Sequence, residues 1–122
     1  MEKKRIILEM GMGNDLYGQD YSKAAKRAVQ DALHHSSITL FSKIGMDHSE
    51  MAVNVTIGVA QPDLVDCEAV ASELPRGVAH VTAVKGGLDV HDAEAGTHHV
   101  VATAAIEAFV PDQTGKWVLS EA

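Results

Sequence analysis

Met51-Ala52-Val53-Asn54-Val55-Thr56-Ile57-Gly58-Val59 alternates strictly, with Met51, Val53, Val55, Ile57 and Val59 on one side and Ala52, Asn54, Thr56 and Gly58 on the other. A period of two marks a strand that buries one face. A strand buried on both faces of an all-parallel sheet would read as an unbroken apolar run instead. The stretch therefore calls for a sheet covered by helices on one side, with its second side either solvated or set against another copy of the chain.

Working outward, His98 to Val110 reads as a long strand of the same kind. Val100, Ala102, Ala104, Ile106, Ala108 and Val110 share one face, and His99, Thr103 and Glu107 the other. Val78 to Lys85 is a further strand, and Arg5 to Met10 is a compact apolar run that stops at Gly11 as a first strand would. Between them the period changes. Ala24, Ala25, Ala28, Val29, Ala32 and Leu33 recur three and four apart, which predicts an amphipathic helix from Asp20, its N-cap, to a point near His35 to Ser37. The alanine stripe implies a close approach to whatever lies beneath it. Asp66 to Glu73 reads as a short helix capped by Asp63 or Asp66 and closed by Pro75. Residues 38–44 suit a short strand or a loop equally. Gly86-Gly87 opens a polar loop that runs to Gly96, and Pro111 to Gly115 turns the chain into a terminal strand, Lys116 to Leu119.

The chain has 122 residues, enough for one domain, 1–122, with a genuine core. The single cysteine, Cys67, excludes an internal disulfide or a multi-cysteine metal site and suits a reducing cytoplasm. A formal charge of -7 and 4% aromatic residues argue against a nucleic-acid partner, which needs clustered Lys and Arg and stacking rings. The apolar run after Met1-Glu2-Lys3-Lys4-Arg5 ends at Glu9, too short for a signal peptide, and no run suits a membrane span.

The fold class that emerges is mixed α/β in the order β-α-β-α-β-β, with two helices on one face of a mixed sheet. This order resembles the trimeric chorismate-mutase class of small α/β proteins and, more loosely, the small trimeric imine-deaminase type. The resemblance implies sheets facing inward around a three-fold axis and ligand clefts between subunits. A homo-oligomer, a trimer, is therefore expected. The activity does not carry over with the fold, because a dicarboxylate substrate needs arginine forks and only Arg5, Arg27 and Arg76 are present.

Chemistry concentrates in Gly11-Met12-Gly13-Asn14-Asp15-Leu16-Tyr17-Gly18-Gln19-Asp20. Glycines let a ligand approach backbone N–H groups, and the helix start beyond favours an anion. A dinucleotide fingerprint fails, since Leu16 stands where its third glycine belongs, and no Gly-Lys-Ser/Thr follows for a phosphate loop. On this reading Gly11, Gly13, Asn14 and Gly18 shape a ligand site, Asp15 supplies an acid, base or orienting carboxylate, and Tyr17 donates a hydrogen bond. The competing reading is a rigid turn in which Asp15 accepts from backbone amides. The same segment resembles the Gly-x-Gly-x-Asp-x-His-Gly signature of a family of short, conserved hypothetical bacterial proteins, also found within longer plant chains. Gly11, Gly13, Asp15 and Gly18 match, and Tyr17 replaces the His. The resemblance extends through the Gln19-Asp20 helix start, Val65-Asp66 and Gly86-Gly87-Leu88; it implies the fold and marks the loop without implying a cofactor or reaction.

The seven histidines do not spell a metal site. His98 and His99 are adjacent on a strand and point to opposite faces, His34 and His35 suit a helix end, and His48, His80 and His91 lack ligand spacing. His91, in the loop after Gly86, and Lys85, before it, are candidate contributors from a second segment. Cys67 sits in the first turn of the short helix with no assignable partner, as a small buried residue would. The function expected is small-molecule binding, with or without catalysis, at sites between subunits; the alternative is a non-catalytic sensor or assembly module.

Overall fold

The computed structural model describes residues 3–35 and 46–113. They form a single mixed α/β domain. In chain order come β1 (Lys3–Asp15), α1 (Tyr21–Leu33), a 3-10 turn (His48–Glu50), β2 (Ala52–Val59), a second 3-10 turn (Pro62–Leu64), α2 (Cys67–Ala71), β3 (Val78–Lys85), β4 (Leu88–Asp92) and β5 (Thr97–Pro111). The sheet runs β1-β5-β2-β3, and β4 also pairs with β5. β2 and β3 are parallel, which requires the crossover that α2 supplies; the other pairings are antiparallel.

The alternation of β2 and β5 sets the inner face. Val53, Val55 and Ile57 lie beside Ala108, Ile106 and Ala104, all essentially buried, and α1 lays Ala24, Ala25, Ala28, Val29 and Ala32 over them. Each buried Val or Ile contributes roughly 1.5–3 kcal/mol by leaving water, so this face outweighs any local propensity. Asp20 caps α1 by accepting from the Lys23 N–H at 3.0 Å, and Asp66 caps α2 through the Ala69 N–H at 3.1 Å. Of the two cap candidates for α2, Asp66 is the one used. α1 ends at Leu33, with His34 as its C-cap.

Two expectations need correction. The segment Gly11 to Asp15 is strand and not turn: β1 continues to Asp15, paired with Val100. The reason is steric. A Cβ on Gly13 would stand 2.3 Å from the Ala28 backbone nitrogen, and one on Gly11 2.5 Å from that of Ala32, so these glycines let the alanine stripe of α1 press onto the strand. The second correction is β4, which occupies part of the expected 86–96 loop. Gly87, at φ 61°, makes the step possible, since any Cβ there would meet the Val101 carbonyl oxygen at 2.3 Å. β5 thus keeps two partners along one edge, β4 from Thr97 to Val101 and β2 from Thr103 to Phe109. The described elements therefore run β-α-β-α-β-β-β. The expected 38–44 strand or loop and the terminal strand 116–119 lie outside the described residues.

Among the described residues, the second sheet face carries no helix. It presents Leu8, Met10 and Met12 of β1, Thr103 and Ala105 of β5, Asn54 and Thr56 of β2, and Val78 and Val84 of β3. Met10 is 67% exposed and Met12 58%, high values for apolar residues on a strand.

Candidate functional site

The structure distributes the predicted site residues over three places. The first is the turn from β1 into α1. Asp15 is only 5% exposed, and its Oδ2 accepts the Asp20 N–H at 2.9 Å. The Arg27 guanidinium lies 3.7 Å from its Oδ1 and also donates to the Asn14 carbonyl at 2.6 Å. Gly18 folds directly beneath this carboxylate, where a Cβ would stand 2.5 Å from Oδ2. Both oxygens of Asp15 thus serve the turn. Asn14 contributes its backbone carbonyl to the same clamp, and its side chain lies exposed. Tyr17 is exposed and meets the edge of the His99 ring, centroids 6.1 Å apart.

The second place was not anticipated from sequence. A groove of about 550 Å³ crosses the bare sheet face. Its floor is made of the small residues Thr56, Gly58, Thr103 and Ala105, and its walls of Met10 and Met12 on one side and Val84 on the other. Gly11 reaches it from the strand, and Lys85 and Gly86 border it. Of the predicted residues, then, Gly11 of β1 and Lys85 of β3 both border the groove, with β5 and β2 between them, while Gly13, Asp15, Tyr17 and Gly18 do not line it. A clue was present in the sequence: Thr56-x-Gly58 and Thr103-x-Ala105 put small side chains on the outward positions of two adjacent strands.

The third place lies under β4. His91 pairs across the strands with His98, their rings 5.5 Å apart. Beside them Asp89 accepts a hydrogen bond from the Tyr21 hydroxyl, which in turn accepts from the Gln61 amide at 3.0 Å. His98 Nε2 stands 3.7 Å from Asp89 Oδ2. Burial pushes the Tyr21 phenol above its ordinary range, and the neighbouring Asp89 carboxylate adds to the effect. Asp89 Oδ1 is buried without a hydrogen-bond partner among the described residues. Neither Tyr21 nor Asp89 was singled out, because the strand that carries Asp89 was read as loop.

Among the described residues no three His, Cys, Asp or Glu side chains are grouped to hold a metal ion. Nor is any helix there long and apolar enough to cross a membrane. Cys67 opens α2 and is half-buried.

Comparison with known proteins bears on fold and family. The crystal structure of an FtsZ-like protein of unknown function from Nostoc punctiforme superposes with a TM-score of 0.77 at 33% identity, covering 92% of this chain and 99% of that one. None of the curated proteins matches this chain. Residues 5–108 match the family described as conserved hypothetical protein (Lin0512_fam). That span takes in β1 through most of β5, so the chain belongs to the Lin0512 family of conserved hypothetical proteins.

Proposed function

We propose that this chain is a self-associating, small-molecule-binding protein, a homo-oligomer whose bare sheet faces meet and whose ligand sites lie between subunits. The observation that carries the reading is the sheet face itself, where Leu8, Met10, Met12, Val78 and Val84 are exposed together beside a groove. Contiguous apolar surface of this kind marks an interaction site. Electrostatics favour a second copy as occupant. The chain carries a net charge of -7, yet the face has a self-neutralised pair, Arg5 to Glu107 at 3.0 Å, so two copies meet there without opposed charge. The strand order β1-β5-β2-β3 with both helices on one side supports the chorismate-mutase-like comparison, and with it a trimer.

Binding and assembly are favoured over catalysis at the 11–18 segment. Asp15 has both oxygens engaged in the turn, and Gly11 and Gly13 are occupied with helix packing. Mass in solution, measured by light scattering behind a sizing column, tests the proposal. A trimer has three times 13.0 kDa, and the double variant Met10→Glu/Met12→Glu should run as a folded monomer. A wild-type mass of one subunit at all concentrations overturns it.

A further inference from the structure

We propose that His91 and His98 form a binding site for one divalent transition-metal ion, with Asp89 as the residue that positions His98. The site lies on the helical side of the sheet, where β4 turns into β5, and does not rest on the assembly reading.

The geometry starts from the register. His91 and His98 are seven positions apart, and the β4–β5 hairpin sets them directly opposite one another. Opposed residues of an antiparallel pair send both side chains to one face, with Cβ atoms about 4.5–5.5 Å apart. The two rings stand 5.5 Å apart, centroid to centroid. Metal–nitrogen bonds of about 2.0–2.1 Å at a tetrahedral angle place two imidazole centroids roughly 5 Å apart, so both rings reach one ion with a small change of side-chain torsion. His91 is exposed and His98 partly so, which gives an ion access.

Behind the pair stands an anchored carboxylate. Asp89 lies two residues before His91 on the same face, and its Oδ2 is 3.7 Å from His98 Nε2. Tyr21 donates to Asp89, and Gln61 donates to Tyr21 at 3.0 Å, so the carboxylate is fixed from the helical layer. Its Oδ1 is buried with no hydrogen-bond partner among the described residues, which leaves an acceptor open. A carboxylate beside one ring nitrogen holds the proton there and leaves the lone pair of the other nitrogen for a metal. Asp89 therefore presents His98 through Nδ1.

Two imidazoles also choose the ion. Neutral nitrogen donors suit Cu²⁺, Ni²⁺ and Zn²⁺, whereas Mg²⁺ and Ca²⁺ take oxygen ligands. No third His, Cys, Asp or Glu joins the pair among the described residues, so the remaining positions fall to water or to a ligand that the ion recruits.

The test is calorimetric titration of the full chain with Zn²⁺, with Mg²⁺ as the contrast, and electron paramagnetic resonance of the Cu²⁺ form to identify the donors. One Zn²⁺ per chain should bind, Mg²⁺ should not, and the Cu²⁺ spectrum should show nitrogen ligation. His91→Ala and His98→Ala should each weaken Zn²⁺ by at least about tenfold and leave the melting temperature of the metal-free chain near the wild-type value. Asp89→Asn, which keeps an acceptor for Tyr21, should weaken Zn²⁺ about tenfold at unchanged stoichiometry. His35→Ala, at the end of α1 beside Asp31, should leave the affinity as it is. Zn²⁺ binding that survives the double variant His91→Ala/His98→Ala, or that falls with His35→Ala instead, means an adventitious ion only and overturns the site. A wild type that binds no Zn²⁺ overturns it as well, and an unchanged affinity in Asp89→Asn overturns the positioning role.

Discussion

Tyr21, the first residue of α1, donates its hydroxyl hydrogen to Asp89 of β4, sixty-eight positions along the chain. The bond fastens the short strand to the helical layer. It also leaves Asp89 with one buried oxygen served and the other not.

Removing the donor should therefore cost more than an ordinary hydrogen bond. Tyr21→Phe keeps the packing of the ring but leaves the Asp89 carboxylate without its partner, and the Gln61 amide without its acceptor. A loss of about 1–3 kcal/mol is expected in urea unfolding. Tyr21→Phe combined with Asp89→Leu should recover part of that loss, because no desolvated carboxylate then remains.

The same tyrosine makes stability depend on alkaline pH. Its phenol titrates above the unfolded value of 10.0, so the folded state holds its proton where the unfolded state has released it. The contribution is full below pH 10 and declines as pH rises through the folded value. Thermal melts of wild type and Tyr21→Phe should therefore converge above pH 10, the wild type falling faster.

Gly13→Ala should destabilise sharply. The new methyl meets the backbone of α1 and no movable side-chain end, so helix and strand must separate. The cost should exceed the roughly 1–3 kcal/mol typical of overpacking, visible as a large drop in Tm.

Asp15→Asn separates a turn clamp from a catalytic carboxylate. As a clamp, the substitution weakens the Arg27 pairing and the bond to the Asp20 amide, and should cost about 1–2 kcal/mol of stability. The solution mass should stay at the wild-type level. An unchanged Tm, together with loss of the thermal shift that a panel of small metabolites gives the wild type, would return Asp15 to the ligand site.

The legible parts of the fold are those where hydrophobicity alternates with the same sense as burial. In β2 and β5 the apolar side is the inner side, and β3 was bounded at Val78 and Lys85 as observed. β4 inverts this sense. Asp89 and His91 share the inner face with Val100 and His98, while Leu88 and Val90 point outward, so the alternation was present but read as a polar loop. Gly11 and Gly13 misled for another reason. Locally a glycine signals a turn, and that these two make room for Ala28 and Ala32 depends on a helix docking from outside the segment. Asp15 was legible as a residue of consequence, with its role left between ligand and turn; its hydrogen bonds favour the turn.

The position of β5 has a bearing on how the chain is made. β1, β2 and β4 all pair with β5, and Lys3 meets Pro111 across the sheet. Of the described strands, β1 is made before β5 and waits for it before it gains the partner seen here. Meanwhile β2 and β3 can pair in parallel, with apolar edges still open. Such delay is where nascent chains risk association with the wrong neighbour, and it favours a helix that can settle early against β1. The two glycines beneath α1, by letting the helix lie flush on that strand, give the waiting segment a provisional shelter during synthesis.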